Sequence, residues 1–160
     1  MIILSIDPGV ERLGVAILEK KSSRISCKMS NTITTFKKCS QRDRIGDIFS
    51  ELIKIHKEFK PNQIVFERLF FAKNAKTAIS VAQVQGAIYL LGYKMNISVE
   101  ELFPNTIKSS VTGYGNADKQ AIKKMIDLQI ILPIKKRLDD EYDAIACGYA
   151  YLLSLPQSSE

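Results

Sequence analysis

Apolar positions in the first part of the chain fall into short runs, followed by one long helical stripe. Ile2-Ile-Leu-Ser-Ile6 is almost continuously hydrophobic, the pattern of a strand covered on both faces. It stops at Asp7-Pro8-Gly9, where Pro fixes φ and Gly accepts a sharp turn. Leu13–Glu19 and Ile25–Thr35 predict two more strands, the second with Ile25, Cys27 and Met29 on one face, joined as an antiparallel meander. Over Gln41–Phe59 the period becomes helical, with Ile45, Ile48, Phe49, Leu52, Ile55 and Phe59 on one stripe. After Pro61-Asn62 a second buried run, Ile64-Val-Phe-Glu67, again ends in a carboxylate. A strand reached through a helical crossover runs parallel to its neighbour. Glu67 is therefore expected at the same sheet edge as Asp7, the edge where open α/β sheets carry their chemistry.

Asn74–Met95 predicts a long helix rich in small and apolar residues, and Ile97–Phe103 a further strand. Pro104 opens a short helix containing Lys108, and Thr112-Gly-Tyr-Gly-Asn116 reads as a flexible loop. Asp118–Gln129 predicts an amphipathic helix and Leu138–Leu153 the last helix, with residues 155–160 a frayed tail. The pattern predicts one α/β domain over residues 1–154, without repeats or a dividing linker.

The charge adds a second constraint. There are 23 Lys and Arg against 17 Asp and Glu, a net charge of +6. A basic body around an acidic pocket suits a polyanionic substrate handled through cations. Three cysteines (Cys27, Cys39, Cys147) at unpaired spacings argue against a disulfide framework and against zinc, and fit a reducing compartment. The apolar start is too short for a signal peptide, and no run approaches membrane-spanning length, so a cytoplasmic location is expected.

Asp140 and Asp143 lie three residues apart on the last predicted helix, about 60° short of a full turn, so both carboxylates share a face. Taken singly, Asp7 reads as a turn opener, and the acids around 140 as charges favoured near a helix N-terminus. Taken together, Asp7, Glu67, Asp140 and Asp143 are four oxygen donors suited to Mg2+ or Mn2+ rather than zinc. Two such ions roughly 4 Å apart activate water and stabilise a leaving oxygen in phosphodiester hydrolysis.

The motifs Ile6-Asp-Pro-Gly9 with Gly14-Val15-Ala16, Glu67-Arg-Leu-Phe-Phe71-Ala-Lys-Asn74, Pro104 to Lys108 with Val111-Thr-Gly-Tyr-Gly115, Ala117-Asp-Lys119 and Asp140-x-x-Asp143-Ala-Ile-Ala146 occur in order along the chain. In this order and spacing the chain resembles the bacterial RuvC-type Holliday-junction resolvases over nearly its whole length. The resemblance implies an RNase H-like fold, a five-stranded mixed sheet flanked by helices. It implies a homodimer that nicks opposed strands of a four-way DNA junction in recombination and repair, using two Mg2+ per site, with Mn2+ as a substitute. A branch-migration motor of the RuvA and RuvB type is the further implied partner. The matching catalytic and metal-binding positions are Asp7, Glu67, Asp140 and Asp143. Phe70 matches the aromatic that stacks on bases at the crossover, with Phe71 the alternative. Arg68, Lys73, Asn74, Lys108 and Lys119 match positions facing DNA.

The sequence departs from the family pattern in three places. Ala82-Gln83-Val84-Gln85-Gly86 differs in the long helix, Glu141-Tyr142 replaces small residues between the last two acids, and Ile134–Leu138 is unusually basic. Three rivals are weighed at this level: a branch or flap nuclease of looser selectivity, a non-catalytic junction-binding protein of the same fold, and an actin-like ATPase, which the short chain disfavours.

Overall fold

A computed structural model describes residues 1–69 and 75–156. Its strands are β1 (Ile2–Asp7), β2 (Arg12–Lys21), β3 (Arg24–Thr34), β4 (Gln63–Glu67) and β5 (Ser98–Leu102). Its helices are α1 (Gln41–Phe59), α2 (Ala75–Met95), α3 (Pro104–Thr112), α4 (Lys119–Gln129) and α5 (Asp139–Ser154). The strands form one mixed sheet in the order β3-β2-β1-β4-β5. β1, β2 and β3 pair antiparallel, whereas β4 lies parallel to β1 and β5 parallel to β4. Both the meander and the crossover follow the sequence expectation.

Strand alternation assigns each apolar residue to one of two cores. Leu4, Ile6, Val15, Ile17, Ile64 and Phe66 face a core completed by Ile48 and Leu52 of α1 and by Val84, Ile88 and Leu91 of α2. Ile3, Ala16, Leu18 and Val65 face the opposite core, built with α3, α4 and α5. The same alternation carries Asp7, two residues beyond Ser5, and Glu67, two beyond Val65, to the α5 side. Ser5 donates its hydroxyl proton to the Ala144 carbonyl of α5 at 2.6 Å, tying that helix to the central strand.

β3 departs from its expected pattern. The register shifts between Ile17 and Leu18, which pair with Met29 and Cys27, leaving Lys28 as the extra residue of a bulge. Ile25 and Cys27 pack toward α5, but Met29 joins Ile33 in the opposite core. The expectation of Ile25, Cys27 and Met29 on one face is therefore corrected: one extra residue inverts the alternation. β2 and β3 also run past their hydrophobic cores to a tight turn, with Ser22 at φ 51, because the hairpin ladder continues where the apolar pattern ends. The predicted flexible loop after Lys108 begins as an organised cap. Gly113 adopts φ 77 and its N–H reaches the Ser109 carbonyl, closing α3.

The three cysteines are free thiols. Among the described residues, no helix is long and apolar enough to cross a membrane.

Candidate active site

Asp7 and Glu67 leave the carboxyl ends of the adjacent parallel strands β1 and β4, and α5 brings Asp140 and Asp143 across the same edge. The approach of α5 depends on Gly14 of β2. A Cβ at that position would lie 1.9 Å from the Asp140 carbonyl oxygen, so only glycine lets the first turn of α5 sit so near the sheet. α4 contributes from the other side. The Asp118 side chain caps it by accepting the Ala121 N–H at 2.8 Å, and the following residue, Lys119, reaches Asp143 Oδ2 at 2.8 Å.

The electrostatics are those of a crowded acidic cluster. Burial, then the charges of Asp143, Glu67 and Asp140, push the Asp7 carboxyl up to about 7, and Lys119 only partly opposes them. Glu67 is raised for the same reasons, burial first and then Asp143, tempered by Lys119 and Lys108. The two strand-end acids thus resist ionising together, a charge excess that cations relieve. Glu67, Lys108, Lys119 and Asp143 line a cleft of about 360 Å³. An adjoining hollow of about 250 Å³ is bordered by Asp7, Glu67 and Arg68.

The two acids of α5 are each turned onto a basic side chain. Arg12 of β2 pairs with Asp140, and Lys119 with Asp143. As the side chains stand, no three carboxylate, imidazole or thiolate groups among the described residues are close enough to hold one metal ion. The donor set itself, four carboxylates and no nitrogen or sulfur, has the chemistry of a Mg2+ or Mn2+ site.

The remaining expected residues are placed as follows. Arg68 pairs with Glu101 at 3.4 Å and lies 4.9 Å above the Phe103 ring, beside the cleft rather than in it. Phe70, Phe71, Lys73 and Asn74 lie outside the described residues.

The sequence pattern did not single out Arg12, Ser30 or the role of Glu141. Glu141, only 4% exposed, accepts from Ser30 Oγ and Lys135 Nζ, both at 2.6 Å, and from the Leu138 N–H at 3.3 Å. Burial alone would raise its carboxyl, but the bonds from Lys135, Ser30 and Leu138 more than offset that and hold it below the usual range. The basic run before α5 is therefore partly structural: Lys135 also reaches the Ser30 carbonyl, and Arg137 the Ser30 hydroxyl. The signal available in the sequence was a glutamate replacing a small residue shortly after a basic stretch. Its partner Ser30 faces it only because of the bulge at Lys28.

A family model for crossover junction endodeoxyribonuclease RuvC matches residues 3–150. The chain belongs to the RuvC family. A relative in Brachyspira hyodysenteriae, named crossover junction endodeoxyribonuclease RuvC, is 41% identical over 151 residues, covering 94% of this chain and 93% of its own. One of the same name in Thermosipho melanesiensis is 38% identical over 149 residues, covering 93% and 95%. The RuvC of Thermus thermophilus, solved in complex with a Holliday junction substrate, matches with a TM-score of 0.89 at 22% identity, over 96% of this chain and 93% of that one. The architecture is thus the RNase H-like α/β fold of the RuvC family.

Proposed function

We propose that this protein is a homodimeric, divalent-metal-dependent endonuclease that resolves four-way DNA junctions by paired symmetric nicks, as part of recombination and repair. The observation that carries this reading is the gathering of four carboxylates from β1, β4 and α5 at one sheet edge, with Asp7 raised to about 7 by burial first and then by the other three. Family membership supplies the substrate class.

Asp7, Glu67, Asp140 and Asp143 would hold two Mg2+, or Mn2+ in their place, once the α5 acids turn from their basic partners. Bound there, the ions would supply activation of the attacking water and charge neutralisation at the departing 3′-oxygen. Lys108 and Lys119 line the cleft and supply positive charge for the scissile phosphate. Arg68 stands at its rim, and Phe70, Lys73 and Asn74 follow it in the chain, where an aromatic suits stacking on an unpaired base.

Dimerisation is supported by α2, which leaves Ile79, Tyr89, Leu90 and Tyr93 exposed along its length. A twofold dimer presents two equivalent sites to a twofold-symmetric junction. A RuvA- and RuvB-type motor is the proposed partner in the cell.

The test is a mobile synthetic junction, end-labelled strand by strand and incubated in Mg2+, Ca2+ or EDTA with the protein or with Asp7→Asn. Symmetric paired nicks in Mg2+ alone, lost in the variant, are expected. Tight binding without nicks in Mg2+ or Mn2+ would overturn the enzymatic reading. Equal cutting of flaps would overturn the substrate.

A further inference from the structure

Arg12 begins β2, and alternation places it on the same face as Gly14, Ala16 and Leu18, the face that α5 covers. The close passage of Asp140 over Gly14 brings the carboxylate within reach of Arg12, and the two form an ion pair. The pair lies at the rim of the acidic cluster: the Arg12 side chain is 48% exposed and that of Asp140 23%. Lys119 treats Asp143 in the same way on the other side. Asp7 and Glu67, the acids between them, make no ion pair among the described residues.

A guanidinium and a divalent ion draw on the same carboxylate lone pairs, and a fixed cation beside the cluster repels a second one arriving there. Arg12 is exposed enough to swing away, but leaving Asp140 requires another anion. A phosphodiester is a good alternative, because its oxygens match the planar guanidinium fork. We infer that Arg12 is a placeholder cation, holding Asp140 in the metal-free protein and giving it up to metal as a DNA phosphate takes the guanidinium. Arg12 is in this sense a positioning residue that couples DNA binding to metal binding. By linkage, each ligand then raises the affinity of the other. The inference rests on the metal-dependent reading above.

The test compares the unaltered protein with Arg12→Gln, Arg12→Lys, Asp140→Asn and the double variant Arg12→Gln/Asp140→Asn. Mn2+ binding is read from the electron paramagnetic resonance of free Mn2+ without DNA, and junction binding from titrations in EDTA over a range of salt. Arg12→Gln should bind Mn2+ about threefold to tenfold more tightly than the unaltered protein, the size of a partly exposed ion pair plus the lost repulsion. The ion-pair share of the gain should vanish when Asp140→Asn is already present, leaving only the smaller share from lost repulsion, and Arg12→Lys should restore most of the original behaviour. In EDTA, Arg12→Gln should bind the junction more weakly, with the slope of log K against log salt reduced by about one.

Equal or weaker Mn2+ binding by Arg12→Gln would overturn the competition with metal. An unchanged junction affinity and salt slope would overturn the exchange onto phosphate. If the unaltered protein bound no Mn2+ and cut no junction, the metal-dependent reading itself would fall, which is a distinguishable result.

Discussion

Asp7 concentrates the electrostatic cost of the site in one side chain. Its carboxyl is raised from 3.8 to about 7, by burial first and then by Asp143, Glu67 and Asp140. A raised acid binds its proton more tightly in the folded than in the unfolded chain. Stability from this group is therefore complete below about pH 4 and is lost as pH rises toward 7. Without metal, Asp7→Asn should be more stable than the native protein at pH 8 by about 2–4 kcal/mol. That advantage should disappear near pH 4 in parallel denaturant melts, while nicking is abolished. Glu141 has the opposite sign. Its depressed carboxyl contributes stability that is present above the ordinary glutamate range and lost as pH falls below it. Glu141→Ala should cost about 2–3 kcal/mol at pH 7, since it removes the buried carboxylate that Ser30, Lys135 and the Leu138 N–H share, and the cost should shrink in acid. Chemical denaturation at the two pH values measures both effects.

Close approach of elements is set by glycines with different surroundings. At Gly14 an added Cβ meets the backbone of Asp140 at 1.9 Å, and backbone cannot swing aside as a flexible side chain does. Gly14→Ala should push α5 away from β2, lowering stability by about 1–3 kcal/mol or more and nicking by a larger factor than the stability loss explains. Gly46, on the exposed side of α1, has nothing within 4 Å of an added Cβ. There, alanine should stabilise by about 0.5–1 kcal/mol through helix propensity and leave cleavage unchanged. Thermal melts and single-turnover cleavage of the two variants separate the effects. At this scale much was legible in the sequence. Ile45, Ile48, Phe49 and Leu52 announced α1, and two apolar runs ending in Asp7 and Glu67 announced the parallel pair. The face of Met29 was not legible, because a bulge obeys the pairing of two strands rather than the alternation of one.

The whole molecule sets a basic body around an acidic cleft, with an apolar face of α2 turned outward. Ile79, Leu90 and Tyr93 fall close to one side of that helix and are 61%, 56% and 87% exposed. A surface of this kind is stable in water when paired. Tyr93→Glu should shift the protein toward monomer in sedimentation velocity and turn paired nicks into uncoupled single nicks. The fold should be retained, since Tyr93 contributes nothing to the buried core.

Local chemistry along the chain determined a great deal by itself: the order of strands and helices, the parallel crossover, the four acids and the family. Each of these depends on near neighbours, through a period of two or 3.6 residues or a turn that only Pro and Gly make. Tertiary structure alone decided which charges meet. Arg12 and Asp140 are 128 positions apart, and Ser30 and Glu141 are 111 apart. Their partnerships exist because Gly14 admits the backbone of α5 and because the bulge at Lys28 turns Ser30 toward it. Coulombic and hydrogen-bonding energies depend on separation in space, and no local pattern encodes a separation that arises only when two distant elements pack.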